Sequence, residues 1–213
     1  MKTHSPLIIG ITGNIGTGKS TVAKMLGEFG ADVIDADKVA HRTMRPGTAV
    51  YTQIIDTFGV GVLCEDGEID RAQLGSIVFT SPISLAHLEA IVHPATLDTI
   101  QRQINNSSAC VIVVEAIKLI ESGMADTVDS IWTTICPPEE QIRRLVSGRG
   151  MNCKAAVQRV QSQPPQTEKM LRADVVVDTS GSMSQTREQV RKGWEDLMHK
   201  HDHTDMGMPC TQP

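Results

Sequence analysis

The sequence predicts an α/β fold in which a parallel sheet of about five strands carries helices on its faces. Three observations lead there. Short, strongly apolar runs such as Leu7–Thr12, Ala109–Glu115 and Asp174–Asp178 suit strands buried on both faces, which parallel sheets require. Segments whose apolar residues recur at helical spacing separate these runs. A glycine-rich turn, Gly13 to Ser20, joins the first run to the first helix.

That turn organises the chain. Gly13-Asn14-Ile15-Gly16-Thr17-Gly18-Lys19-Ser20 satisfies the phosphate-loop pattern G-x-x-x-x-G-K-[ST]. Glycines let the backbone curl so that successive N–H groups point inward, and the following helix, Thr21 to Phe29, adds its positive end to the same cavity. Lys19 is placed to reach the β- and γ-phosphates of a nucleotide, and the Ser20 hydroxyl to hold Mg²⁺. Residues Gly13, Asn14, Ile15, Gly16, Thr17, Gly18, Lys19, Ser20 and Thr21 are therefore the expected nucleotide cradle. A dinucleotide-binding turn also follows a first strand with glycines and carries an acid about twenty residues on, a part open to Asp32 or Asp35. The G-x-x-G-x-G spacing followed by Lys and Ser does not meet that pattern.

At 213 residues the chain is long enough for one α/β domain with a sizeable core or a small mobile insert. Aromatics make up 3%, so the core must rest on aliphatic residues and Met. The formal net charge of −5 argues against nucleic-acid or anionic-membrane binding. It is unevenly spread, because Gln141 to Arg172 holds seven Lys and Arg residues against the single acid Glu168. The five cysteines form no C-x-x-C pair, which suits reduced thiols in a cytoplasmic protein. Gly10 and Gly13 cut short the apolar run near the N-terminus, so it reads as neither signal peptide nor membrane span.

A second strand, Ala31–Asp35, ends in Asp35-Ala36-Asp37. Acids at the carboxyl end of a parallel strand sit where open α/β sheets place their chemistry. The competing reading is that one of the two caps the next helix. The loop and the Val33-Ile34-Asp35-Ala36-Asp37 series together resemble the dephospho-coenzyme A kinase family. Further matches follow in order: Phe58-Gly59, Asp66-Gly67, Asp70-Arg71, Leu74, Val78-Phe79, Leu88-Glu89 and His93-Pro94, then Arg144, Arg149, Arg159, Gln163, Lys169 and Ala173-Asp174. The resemblance spans about residues 7 to 195. It implies a phosphate-loop NTPase fold and transfer of a phosphoryl group from ATP to the ribose 3′-hydroxyl of dephospho-CoA. Asp37 would then take up or orient the proton of the acceptor hydroxyl.

Residues 43–108 read as mostly helical and form the expected acceptor region, with Asp70 capping a helix from Arg71 to Val78. Pro94 is expected to end one helix near His93 and start another. Asp35, Arg71 and His93 are candidate acceptor contacts. Glu115, closing the third strand, is a candidate to act on Mg²⁺ through water. Where the family usually has Pro-Leu-Leu before a Glu, this chain has Ile117-Lys118-Leu119-Ile120-Glu121, so Lys118 brings a charge toward the acceptor pocket or faces solvent.

Asp129 to Cys136 reads as the next strand, and Pro137-Pro138 starts a helix bearing Arg143 and Arg144. The basic stretch 149–165 looks like a hinged lid that brings cations over the transferring phosphates. Arg149 is the expected phosphate contact, since a guanidinium fork matches phosphate oxygens bidentately. The gap between Arg144 and Arg149 is one residue longer than the family's usual spacing, which leaves both in play. A last helix is expected from Met183 to about Met198, and the His-containing segment from residue 200 is read as a flexible tail. The expected layout is one kinase domain over 1–199, with core segments 7–42, 109–148 and 166–199, acting as a monomer or weak homo-oligomer. A kinase for another nucleoside, nucleotide or small alcohol shares the loop and lid but leaves the Asp35–Asp37 and His93-Pro94 series unexplained. A nucleotide-dependent switch is disfavoured because N-K-x-D is absent from the sequence.

Overall fold

The computed structural model describes residues 5–204. The described residues divide into two compact units, one made of 5–33 with 108–204 and the other of 34–107. The elements in order are β1 (Leu7–Gly13), α1 (Lys19–Glu28), β2 (Asp32–Asp35), α2 (Ala36–Thr43), α3 (Ala49–Phe58), α4 (Arg71–Val78), α5 (Pro82–Asn106), β3 (Val111–Glu115), β4 (Ser130–Ile135), α6 (Pro138–Arg149), α7 (Cys153–Gln161), α8 (Gln166–Met170), β5 (Val175–Asp178) and α9 (Met183–Thr204).

The strands form one sheet in the order β2-β3-β1-β4-β5. β1 lies between parallel neighbours, pairing Ile11 with Glu115 of β3 and Gly13 with Thr134 of β4, and β4 pairs parallel with β5. Their composition explains the arrangement: all five residues of β3 and most of β1 are buried, so these strands need cover on both faces. On one side Ile9, Ile11, Val111, Val113, Trp132 and Val177 pack with Val22, Ala23, Met25 and Leu26 of α1 and with Val190 of α9. Gly193 lets α9 lie close to the sheet, since a Cβ there would stand 2.7 Å from the Trp132 ring. Trp132 is fully buried, whereas Trp194 is only partly buried, with its ring centroid 6.0 Å from that of Phe29.

The second unit is helical, as expected. Val50, Ile54, Val62, Ile69, Leu74, Val78 and Val92 form its core, with Ala40 and Met44 packed against them. Helix starts follow side-chain caps: Thr48 accepts from the Tyr51 amide, Asp70 from those of Ala72 and Gln73, and Ser81 from that of Ser84. The unit begins at Ile34 rather than near residue 43, because α2 packs on α5 and lends Ala40 to this core.

Two helical expectations are corrected. α5 runs unbroken through Pro94 for 25 residues. Val92, Thr96, Ile100 and Ile104 are buried at four-residue intervals, so one continuous stripe passes the proline, and packing outweighs its helix penalty of roughly 3 kcal/mol. α9 continues past Met198 to Thr204, carrying His199 and His201; the tail from residue 205 lies outside the described residues. No helix among the described residues is long and apolar enough to cross a membrane.

Candidate active site

The loop leaving β1 depends on glycine geometry. Gly13, Gly16 and Gly18 have φ of 147°, 76° and 89°, a range L-residues rarely adopt. A Cβ on Gly13 would stand 2.5 Å from Thr134 Oγ1, and one on Gly16 would stand 3.0 Å from the Gln141 carbonyl oxygen. Gly18 is the N-cap of α1, so helix amides open directly from the loop. Thr17 closes it internally, with Oγ1 donating to the Asn14 carbonyl at 2.8 Å and sharing a 2.7 Å hydrogen bond with Thr134 Oγ1.

Lys19 is the first residue of α1 and is buried. Its Nζ donates to the carbonyls of Gly13 and Asn14 at 2.9 and 3.0 Å, which holds the ammonium over the loop. The Ser20 hydroxyl donates to Glu115 Oε1 at 2.7 Å. β1–β3 pairing sets this up by aligning Glu115 with Ile11, two residues before the loop. A hydroxyl and a carboxylate so placed are hard oxygen donors of the kind Mg²⁺ takes.

The basic segment meets the loop at other points. Arg144 on α6 donates to the Gly16 carbonyl at 3.2 Å, to Thr179 Oγ1 at 2.9 Å, to the Thr179 carbonyl at 2.5 Å and to Glu140 Oε1 at 2.7 Å. Hydrogen bonds from Arg143 and Arg144 hold the Glu140 carboxyl down at about 2, with burial opposing. Gln163 Oε1 accepts from the Ile15 amide at 2.8 Å, and Asn14 Nδ2 donates to the Pro164 carbonyl at 2.9 Å. The end of the expected lid is thus tied to the loop's first turn. Arg149 is exposed and forms the last residue of α6, with Gly150 as a left-handed C-cap. Lys169 is buried and donates to the Ile117 carbonyl at 3.0 Å and to Glu121 at 2.6 Å. Lys118, in the turn between them, is exposed.

In the helical unit, Asp35 is the N-cap of α2: its carboxylate accepts from the Lys38 amide at 2.9 Å and pairs with Lys38 Nζ at 3.0 Å. Asp37 stands in the first turn of that helix, exposed, two residues past the carboxyl end of β2. Arg71 opens α4, and its Nη1 lies 3.1 and 3.0 Å from the two ring nitrogens of His41. Burial first, then Arg71, holds the His41 imidazole below 6.5, while Asp37 and Asp35 pull it up. His93 is half-buried within α5, one residue before Pro94.

Several of these anchors carried a signal in the sequence. Arg144, Gln163 and Lys169 belong to the ordered series that resembles the family, though only the fold shows what each holds. Thr179 carried none, because a threonine after a strand is commonplace.

A glycine loop joining the central parallel strand to its helix, with a buried lysine above it and a serine–carboxylate pair at its edge, defines a phosphate-loop kinase. Comparison with known proteins narrows the class. The family model described as dephospho-CoA kinase matches residues 7–185. The dephospho-CoA kinase of Carboxydothermus hydrogenoformans is 45% identical over 86% of this chain and 90% of its own length, and that of Geobacter sulfurreducens is 40% identical over 88% and 96%. The chain belongs to the dephospho-CoA kinase family. Among solved structures, a Thermus thermophilus protein superposes with a TM-score of 0.79 at 30% identity, covering 92% of this chain and 98% of that one. A Campylobacter jejuni dephospho-CoA kinase gives 0.64 at 25%, covering 91% and 98%. A shikimate kinase from Acinetobacter baumannii, 14% identical with a TM-score of 0.54, shares the fold alone.

Proposed function

We propose that this enzyme transfers the γ-phosphoryl group of ATP to the ribose 3′-hydroxyl of dephospho-CoA, giving coenzyme A and ADP. The observation that carries the reading is the loop itself: Lys19 held over the Gly13 and Asn14 carbonyls, with Ser20 bonded to Glu115 at 2.7 Å. Backbone amides of residues 13–21 take the phosphates, and the N-terminus of α1 adds its partial positive charge. Lys19 neutralises charge that builds on the transferring group. Ser20 directly, and Glu115 through water, would hold a Mg²⁺ that shields the β- and γ-phosphates.

On the acceptor side, Asp37 accepts a hydrogen bond from the 3′-hydroxyl and takes its proton as the new P–O bond forms. Transfer of this kind is loose, with little bonding to the nucleophile at the transition state, so aiming the hydroxyl matters more than basicity. The cap made by Asp35 assigns it a supporting role, fixing the helix start that carries Asp37. Arg71, His93 and Lys118 are the remaining candidate acceptor contacts, and Arg149 is the lid cation for the transferring phosphoryl group. Cys64, Cys110, Cys136 and Cys153 are not in disulfides, which suits a cytoplasmic setting.

The test is ADP release with dephospho-CoA beside a panel of nucleosides, nucleotides and sugars. Turnover selective for dephospho-CoA supports the reading. Preference for another acceptor overturns the substrate assignment, and release with none of them overturns the kinase reading.

A further inference from the structure

We infer that a cationic recess on the helical unit seats the diphosphate of the acceptor; the inference rests on the dephospho-CoA reading above and adds the part of that molecule remote from the reacting hydroxyl. The recess has a volume of about 610 Å³ and is lined by Lys38, His41, Arg42, Arg45 and Arg71, with Glu68 the one acid among its lining residues. Three guanidinium groups facing one concavity are costly unless something negative joins them, because like charges in close quarters repel.

Structural roles account for part of this cluster only. His41 and Arg42 lie in the last turn of α2, where cations complement the helix dipole, and Lys38 pairs with Asp35. Arg45 lies beyond the end of α2, and Arg71 comes from the start of α4, so neither is explained that way. Arg71 Nη1 also donates to the His41 imidazole, 3.1 and 3.0 Å from the two ring nitrogens, which fixes the guanidinium in the lining of the recess. A diphosphate answers this arrangement: it presents two linked anionic groups, each with oxygens spaced for a guanidinium fork. The space exceeds what a single phosphate fills and falls within the range of small-molecule sites.

The experiment measures KM for dephospho-CoA and for ATP in the full-length chain and in Arg42→Gln and Arg45→Gln. Both positions are exposed. Losing one charge-assisted phosphate pairing is expected to raise KM for dephospho-CoA roughly tenfold or more while KM for ATP stays at the wild-type value. Lys192→Gln, which makes the same change of charge on α9, controls for net charge and should leave both constants alone. On the unmodified protein, phenylglyoxal labelling read by mass spectrometry should show dephospho-CoA shielding Arg42, Arg45 and Arg71, a result that depends on no variant folding. Unchanged KM for dephospho-CoA in both variants, or equal labelling with and without it, overturns the recess assignment. Absence of dephospho-CoA turnover by the wild-type chain overturns instead the functional reading beneath it.

Discussion

Arg144→Lys separates charge from shape at the loop. The native guanidinium makes hydrogen bonds to Gly16, to both the hydroxyl and the carbonyl of Thr179, and to Glu140. An ammonium on a shorter stem carries the same charge but cannot fork across those acceptors, and one contact of the four is the most it is expected to keep. With each lost bond contributing about 1 kcal/mol net, the variant should lose about 3 kcal/mol of stability. For a chain of 213 residues that corresponds to a fall in Tm of about 6–12 °C. The bond to the Gly16 carbonyl has a separate consequence, because it steadies a turn held at φ 76°. Its loss should raise KM for ATP about fivefold, the equivalent of one hydrogen bond. Calorimetry and steady-state kinetics on the same preparation read both numbers. A variant that melts with the wild type and binds ATP equally well would show that the site needs only a positive charge at this position, and would refute the clamp.

The other predictions address the reaction and the fold in turn. Asp37→Asn should lower kcat at least a hundredfold while leaving KM for ATP in place, as steady-state kinetics will show; comparable turnover removes Asp37 from the mechanism. Glu115→Gln should raise the Mg²⁺ concentration for half-maximal turnover about tenfold or more, the usual effect of altering a group that acts on a metal through its waters. Gly13→Ala places a Cβ 2.5 Å from Thr134 Oγ1 at φ 147°, whereas Gly30→Ala meets nothing within 4 Å at φ 103°. Urea unfolding should show the first substitution losing clearly more than the roughly 1 kcal/mol of conformational strain expected of the second. At Glu121, burial pushes the carboxyl up but the hydrogen bond and charge of Lys169 bring it net below 4.5. Its stabilising effect is therefore complete above pH 4.5 and drains away as pH falls through the lowered value. The stability gap between wild type and Lys169→Met, followed by urea midpoints, should narrow on acidification from pH 4.5 downward.

Legibility in the sequence tracked how local the cause was. The strands, the loop and the caps at Asp70 and Asp35 follow from neighbouring residues, and the structure repeats them with end shifts of a residue or two. Pro94 misled because its effect on a helix is local, while the stripe from Val92 to Ile104 that overrides it depends on what the other face meets. The start of the helical unit was placed late for a related reason: α2 follows a strand of the sheet, but its apolar side belongs to α5. At the site, Lys19, Ser20 and Glu115 were legible because strand register and motif spacing bring them together. Arg149 is favoured in the sequence because a guanidinium fork on a basic lid suits phosphate oxygens, while the spacing leaves Arg144 in play as well. The structure puts Arg144 on the loop because Thr179, far along the chain, supplies two of its acceptors. Gln163 gave no hint that it would hold the Ile15 amide, since a glutamine beside two prolines reads as loop.

The placing of the two indoles gives the chain a native optical system. Trp132, sealed under Gly193, is shielded from aqueous quenchers and emits as a core residue, changing only when the sheet opens. Trp194 leans on Phe29, the residue that caps α1, about 15 Å along the helix from the glycine loop. Acrylamide should silence the second first, so difference spectra would isolate a probe at the far end of the very helix that leaves the glycine loop.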